Sequence, residues 1–220
     1  ALLTGKQRLP GFVGEWEVKT FDEIFNFHST ATNSRSDLVD GGDSYYIHYG
    51  DIHTRFHNHI DFKTSSPPKI ARSKCKNATQ LQNGDWIMAD ASENYDGVGK
   101  SIEVVGLTDG IKAVSGLHTF LLREKSPTYV SGFKGHLGNL KSLHESYLHV
   151  ATGMKVYGVS KTALRNIELP VPKPAEQTAI AAILSDMGTE IDALEAKLSK
   201  ARQIKQGMMQ ELLTGKTRLV

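Results

Sequence analysis

Two short segments of the sequence resemble the end of a phosphate-binding loop, in which backbone amides and one lysine hold a nucleotide. They are residues 99–101, Gly-Lys-Ser, and residues 215–217, Gly-Lys-Thr. Asn94 and Gln210 stand where each loop needs its first glycine, and neither segment joins a predicted strand to a predicted helix. The sequence therefore does not predict a nucleotide site.

Three histidines lie close together at positions 53, 57 and 59, between Asp51 and Asp61. Histidine and carboxylate side chains bind zinc, so this segment could serve a metal-dependent hydrolase. The spacing is not that of a closed zinc site, and the neighbouring residues are polar. We predict a solvated loop without a metal. Metal-dependent hydrolysis stays an alternative, which elemental analysis of the pure protein would test.

Other catalytic signatures are incomplete. Residues 195–197, Glu-Ala-Lys, match part of a nuclease motif, but they fall on a predicted helix far from any strand that could hold a second carboxylate. The Gly-x-Ser-x-Gly pattern of nucleophile-elbow hydrolases does not occur. Cys75 is the single cysteine, which excludes an internal disulfide and predicts a reducing, cytoplasmic environment. We predict no catalytic residue and no cofactor.

Length and charge favour one domain with an appendage. The chain has 220 residues, of which 39% are hydrophobic, and its net charge is +2. The segment from Pro174 onward holds six basic and six acidic residues, and the remainder holds 20 basic and 18 acidic residues. Because neither part is strongly basic, any binding of nucleic acid must come from a local patch.

The appendage is a predicted helix of about 38 residues, roughly 57 Å long at 1.5 Å per residue. Apolar residues recur at steps of three and four, the spacing of a coiled coil. This seam consists of Leu184, Met187, Ile191, Leu194, Leu198, Ala201, Met208 and Leu212. Lys205 falls on the same stripe, where Ile204 beside it can supply the apolar contact. The seam predicts a partner helix, although packing against its own domain is the alternative.

One motif occurs twice. Residues 2–9, Leu-Leu-Thr-Gly-Lys-Gln-Arg-Leu, return as residues 212–219 with Thr in place of Gln, so seven of eight positions agree. The second copy ends the long helix, with Gly215 well placed to stop it. The first copy therefore predicts the end of a preceding, similar helix, and the chain reads as one unit of a tandem array.

Between the two copies the sequence predicts an α+β domain with a mixed sheet. Residues 17–20, 45–49, 100–105 and 112–122 favour strands, and residues 140–150 favour a helix. Prolines at 170, 172 and 174 predict a stiff, extended hinge before the long helix. We thus predict three parts: the end of a preceding helix at 1–9, a recognition domain at 10–173 and the long helix at 174–220.

The C-terminal third resembles the DNA specificity subunit of type I restriction-modification systems. The resemblance rests on residues 152–161 (Thr-Gly-Met-Lys-Val-Tyr-Gly-Val-Ser-Lys), 170–172 (Pro-Val-Pro), 176–177 (Glu-Gln) and 212–216 (Leu-Leu-Thr-Gly-Lys). Shorter similar pieces occur at 16–18, 84–87, 97–100 and 114–119. The similarity thus covers nearly the whole chain.

The resemblance implies a sequence-specific reader of double-stranded DNA that is not itself an enzyme. In that family two target recognition domains alternate with two long helices, and each domain reads one half of a split site. The helices set the distance between the domains and dock methyltransferase subunits, through which the restriction and translocase subunit joins. This chain has one domain and one helix, so the resemblance implies half of such a subunit, which would have to dimerise to read both halves.

DNA recognition needs cations for phosphates and polar side chains for base edges. From residue type and loop position we predict phosphate contacts by Arg35, Lys100, Lys134 and Lys155, and base contacts by Asn33, Ser115, His118 and His136. The exposed seam predicts self-association, and antiparallel pairing would place the two domains at opposite ends. An oligomerisation adaptor that does not bind DNA is the alternative from another functional class.

Overall fold

The computed structural model describes residues 2–138 and 140–215. The chain divides into two compact units, Ala1–Ile180 and Ala181–Val220. We call residues 2–180 the head and the helical residues 181–213 the rod. Among the described residues, no helix combines the length and the apolar character that crossing a membrane requires.

The head combines short strands and short helices, which confirms the predicted α+β class. The strands are β1 (Glu17–Thr20), β2 (Phe25–His28), β3 (Ser44–Ile47), β4 (His59–Asp61), β5 (Lys69–Ile70), β6 (Trp86–Ala89), β7 (Ala91–Ser92), β8 (Ser101–Val105), β9 (Ala113–Ser115), β10 (Thr119–Glu124), β11 (Tyr157–Gly158) and β12 (Glu168–Val171). The helices are α1 (Phe21–Ile24), α2 (Tyr49–Thr54), α3 (Phe133–Leu137), α4 (Lys141–Val150), α5 (Lys161–Arg165) and α6 (Pro174–Leu213).

A five-stranded sheet in the order β2-β10-β6-β8-β4 forms the centre of the head. All its pairs are antiparallel except β4 with β8. Strands β6 and β8 are buried over nearly their whole length. Strand β6 is a continuous apolar run, whereas β8 also buries the polar side chains of Ser101 and Glu103. Their side chains share one core cluster with Ile52 of α2, which fixes that helix on the sheet.

A three-stranded sheet, β5-β3-β9, lies beside the first, with β3 and β9 parallel. An aromatic cluster closes another part of the core, where Phe21 stacks on Trp86 with ring centroids 5.6 Å apart. Thr20 and Glu23 form a reciprocal capping box at the start of α1, an arrangement that the Thr-x-x-Glu spacing favours. These contacts anchor the first helix of the head under the central sheet.

The proline-rich segment differs from the predicted hinge. Pro170 belongs to β12, which pairs with β1 in a two-stranded sheet, so the missing amide proton of proline is tolerated at an edge. The Pro170 carbonyl accepts a hydrogen bond from the Tyr129 hydroxyl, and the Pro172 carbonyl accepts one from Gln177 Nε2. Tertiary hydrogen bonds therefore hold this segment within the head.

Helix α6 begins inside the head. Glu176, Gln177, Ile180 and Ala181 are buried, whereas nearly all residues from 182 to 213 are exposed. The predicted seam lies on α6, and Leu194 and Leu198 are 54% and 50% exposed. The large apolar side chains of the predicted seam are thus mostly exposed to solvent in the described residues. Five of them are 50% to 59% exposed, so about half of each of these side chains remains available to a partner: Met187, Ile191, Leu194, Leu198 and Met208.

Candidate nucleic-acid interface

Helix α2 carries the centre of the candidate site. His48 caps the start of this helix, and its Nδ1 accepts a hydrogen bond from Gly50 N at 3.1 Å. Burial lowers the pKa of His48, with Arg35 contributing, so the neutral ring can act as this acceptor. In the reciprocal bond, the His48 amide donates to the Asp51 carboxylate at 3.3 Å. This reciprocal cap fixes the direction in which the α2 side chains point.

A cavity of about 690 Å³ opens beside α2. We call it the α2 cavity. Its lining includes two lysines and two histidines, together with two acids, Glu93 and Asp96. The basic and aromatic lining residues are Tyr49, His53, Lys100, Lys141 and His144. The cavity therefore offers cations, ring faces and hydrogen-bonding groups together, which are the groups that contact phosphates and base edges.

His118 lies against α2 from the turn between β9 and β10. Its ring meets Tyr49 edge-on, with centroids 5.4 Å apart, and its Nδ1 is 3.3 Å from Asp90 Oδ1. Its φ of 56° lies in the left-handed region, which a non-glycine residue rarely adopts and which often marks a functional position. Burial raises the pKa of Asp90, and His118 opposes that shift. The half-exposed imidazole is thus held in place at the surface.

Two predicted phosphate contacts also meet α2. Lys100 Nζ donates to the His53 carbonyl at 2.8 Å and lines the α2 cavity. Arg35 Nη2 donates to buried Asp51 Oδ1 at 3.1 Å, and about half of the Arg35 side chain stays exposed. Each cation is oriented by one protein acceptor and keeps further N–H donors. Arg35, Lys100 and His118 therefore come together around one helix, although 83 residues separate the first from the last.

Asn33 and Lys155 lie in loops. Asn33 is half-buried, and its Nδ2 donates a long hydrogen bond of 3.4 Å to Asp37. Lys155 is exposed in the loop that the bridge between Thr152 and Gly158 closes. Tyr157 at the end of that loop stacks on Tyr95 at 4.1 Å, next to the lining of the α2 cavity. Both residues stay predictions as DNA contacts.

Three predicted contacts are buried, so their assignment to the interface is corrected. Ser115 is inside β9, and its Oγ has no hydrogen-bond partner within the described structure. Lys134 is 1% exposed, and its Nζ lies 2.5 Å from Glu124. His136 is buried with its ring centroid 5.1 Å from that of His59. None of the three side chains can reach a phosphate or a base edge from these positions.

Acidification is expected to destabilise the head through His136. Burial, with a smaller contribution from His59, lowers the pKa of His136 from 6.5 to about 4. The unfolded chain binds this proton near pH 6.5 and the folded chain only near pH 4, so the free energy of unfolding falls across that interval. The loss is at most about 3 kcal/mol.

Urea titrations at several pH values measure how the free energy of unfolding changes with pH. His136→Gln should reduce this pH dependence, and His149→Gln, at an exposed position, should not. An unchanged slope in His136→Gln would contradict the assignment.

The histidine-rich segment does not form a metal cluster. Among the described residues, no three histidine, cysteine or carboxylate side chains are grouped to bind a metal. His53 Nε2 is 3.1 Å from the Ala91 carbonyl, and His59 Nε2 is 2.8 Å from the Gly132 carbonyl. The segment is partly helical and partly strand, rather than the solvated loop that the sequence predicts. The hydrolase alternative has no geometric support here.

Sequence reasoning missed three residues of the candidate site. Tyr49 stands beside the singled-out histidines, and its ring contacts the tilted ring of His48 at 4.5 Å and meets His118 edge-on at 5.4 Å. Lys141 and His144 are three residues apart on α4, so they share one helix face. The spacing of Lys141 and His144 was the one sequence signal that could have marked them as a shared polar face. The sequence did not show that this face borders α2.

Comparison with known proteins identifies the family. The profile described as "Type I restriction modification DNA specificity domain" matches residues 14–203. The specificity subunit of the type I restriction enzyme MjaVIII from Methanocaldococcus jannaschii is 37% identical over 73 residues, which are 33% of this chain and 17% of that protein. The profile match confirms the resemblance inferred from the motifs.

Solved structures show the same fold. The S subunit of a type I restriction-modification system from M. genitalium matches 94% of this chain and 47% of that chain, with a TM-score of 0.57 and 15% identity. The HsdS subunit from Thermoanaerobacter tengcongensis matches 96% of this chain and 48% of that chain, with a TM-score of 0.57 and 16% identity. The chain thus spans about half the length of these two structures. With a family profile covering residues 14–203, the chain belongs to the type I restriction-modification DNA specificity family.

Proposed function

We propose that this chain selects the DNA sequence for a type I restriction-modification complex, whose other subunits carry out methylation and cleavage. The match of the family profile over residues 14–203 is the observation that carries the proposal. On this proposal the chain is not an enzyme, and its partners are double-stranded DNA, the methyltransferase subunits and, through them, the restriction subunit.

The α2 cavity and its rim are the proposed reading surface. Lys100, Lys141 and Arg35 would contact phosphates, because each is a cation that keeps free N–H donors. Tyr49 and His118 would contact base edges, because their rings are fixed by Asp90 and by each other while remaining partly exposed. The exposed loop with Lys155 would extend the same surface along the duplex.

The rod would measure the distance between two reading surfaces. Its charges change sign along its length: from 181 to 195 there are four acidic residues and no basic ones, and from 197 to 205 there are four basic residues and no acidic ones. Parallel pairing would set like charges beside each other, whereas antiparallel pairing sets acidic segments against basic ones. A second copy in antiparallel orientation therefore fits the seam, and it would present two heads to the two halves of a split site.

Loss of two lysines from the α2 cavity is expected to weaken binding to DNA. Lys100→Ala/Lys141→Ala should reduce affinity for a 30-base-pair duplex pool of random sequence. The slope of log affinity against log salt should fall by about two, because each lost phosphate contact removes about 0.9 from it. Fluorescence anisotropy at several salt concentrations, with the methyltransferase subunit present, measures both quantities.

The matched control is Lys63→Ala/Lys112→Ala, which removes two exposed lysines that do not line the cavity. It should leave the salt slope unchanged. Equal effects of the two double variants would contradict the proposed surface. Absence of salt-dependent binding by the unmodified chain would favour the adaptor, which the exposed seam also fits, because an adaptor needs the rod but no DNA contact.

A further inference from the structure

Two histidines at the α2 cavity and its rim each have one ring nitrogen engaged by an acceptor of the protein. His144 is half-buried on α4 and lines the cavity, and its Nδ1 is 3.1 Å from the Val98 carbonyl. A carbonyl oxygen can only accept a hydrogen bond, so His144 must donate through Nδ1. In a neutral imidazole the second nitrogen then carries the lone pair, which makes His144 Nε2 a hydrogen-bond acceptor.

His118 has the same arrangement with a carboxylate in place of the carbonyl. Its Nδ1 lies 3.3 Å from Asp90 Oδ1, a buried oxygen that no other hydrogen-bond donor serves within the described residues. Burial raises the pKa of Asp90, whereas His118 and Lys161 act in the opposite direction. A charged, buried carboxylate oxygen needs a donor, and the Nδ1–H group of His118 meets that need. The Nε2 atom of His118 is therefore an acceptor as well.

The turn that carries His118 is fixed by contacts within the head. The Leu117 amide donates to the hydroxyl of buried Tyr46 at 2.9 Å. Gly116 leaves room for the Tyr46 ring, because a Cβ at this position would lie 2.2 Å from it. The His118 carbonyl accepts a hydrogen bond from the Asp90 amide at 3.1 Å. Both the backbone and the ring of His118 are thus tied to Asp90, so binding requires little reorganisation of this residue.

Tyr49 joins the two histidines into one surface. It lines the α2 cavity together with His144, and its ring meets that of His118 edge-on. In the major groove of DNA, the hydrogen-bond donors are the exocyclic amino groups, N6 of adenine and N4 of cytosine. Guanine and thymine carry acceptor oxygens, O6 and O4, at the corresponding positions. An acceptor on the protein therefore favours adenine over guanine, or cytosine over thymine.

We propose, on the basis of the proposed DNA-reading function, that His118 and His144 each accept a hydrogen bond from the exocyclic amino group of an adenine or a cytosine. Both are then specificity-determining residues. Asp90 is the positioning residue that makes His118 an acceptor, and the Val98 carbonyl does the same for His144. A histidine with its proton on the other nitrogen would donate instead and would favour guanine or thymine.

Asp90→Asn is expected to reverse the hydrogen-bonding role of His118. The asparagine amide can donate to Nδ1, which moves the ring proton to Nε2 and makes that nitrogen a donor. Selection from a random duplex pool at pH 8, with the methyltransferase subunit present, followed by sequencing, determines the preferred base at each position. At the position that His118 reads, adenine should change to guanine, or cytosine to thymine, and the other positions should keep their bases.

Alanine variants identify the two positions. His118→Ala and His144→Ala should each lose the base preference at one position, and the two positions should differ. His149→Ala is the matched control, because His149 is exposed on the same helix as His144 and does not line the cavity. It should select the same bases as the unaltered chain.

Removal of the amino group from the DNA tests the contact from the other side. Purine in place of the selected adenine, or 2-pyrimidinone in place of the selected cytosine, should weaken binding by the unaltered chain about tenfold, as loss of a specific base contact does. The corresponding alanine variant should lose less than about twofold, because its contact is already absent. This comparison also decides the proposal if Asp90→Asn does not fold.

The outcomes separate this proposal from the proposed function. A motif with unchanged bases in Asp90→Asn and in both alanine variants would overturn the acceptor assignment and leave DNA reading by the head intact. Equal losses of affinity in the unaltered chain and the alanine variants, on removal of the amino group, would overturn it too. If the unaltered chain selects no motif at all, the proposed function fails, and the acceptor assignment fails with it.

Discussion

Aspartate at two positions of the seam is expected to abolish self-association of the chain. Leu194→Asp/Leu198→Asp places charges on the stripe that the rod would bury against a partner. Each leucine is about half exposed in the single chain, so pairing would remove its remaining apolar surface from water. At about 25 cal/mol per Å², loss of these contacts from both copies should weaken association by a hundredfold or more, roughly 3 kcal/mol.

The control variant introduces the same number of aspartates at positions outside the seam. Ser199→Asp/Gln203→Asp adds two aspartates to the same stretch of the rod at positions outside the seam. Sedimentation equilibrium over a range of protein concentrations compares both variants with the unaltered chain. We expect a monomer for the leucine variant and association close to the unaltered value for the control. A monomeric unaltered chain, or equal loss in both variants, would show that the seam does not mediate pairing.

Lys134→Met is expected to destabilise the head by about 3–5 kcal/mol, the cost of leaving buried charges without their partner. Lys134 Nζ lies 2.5 Å from Glu124 and 3.4 Å from Glu103, and all three side chains are largely buried. Because methionine keeps most of the apolar part of the lysine side chain, the loss of stability comes from removal of the positive charge. Glu103 also accepts hydrogen bonds from the amides of Gly132 and Gly135, which hold its carboxylate in place.

Urea denaturation at pH 7 measures this loss. Lys141→Met, at an exposed position on α4, is the matched control and should change the free energy of unfolding by less than about 0.5 kcal/mol. Adding Glu103→Gln to Lys134→Met should recover part of the loss, because one uncompensated charge is then removed. A Lys134→Met chain as stable as the control would show that the buried cluster contributes nothing to the fold.

The fold was partly predictable because several of its elements are defined by local patterns. The strand at 17–20, the capped turn after it and the helix of α4 follow from neighbouring residues, and the structure contains them. The interface was less predictable. Arg35, Lys100 and His118 do lie around α2, but Tyr49, Lys141 and His144 entered the site only when the sheet brought α2 and α4 to one cavity.

The sequence by itself determined the long helix, its seam, the repeated motif and the family resemblance, because periodicity and motifs are read from residues close together in the chain. Only the tertiary structure decided which polar side chains face solvent. Lys134 and Ser115 have the residue types of a DNA contact, yet long-range packing buries both. The ion pair between Arg8 and Glu176 was equally unpredictable, because it joins residues 168 positions apart. Burial and distant pairing depend on how the whole chain packs, and no local pattern records them.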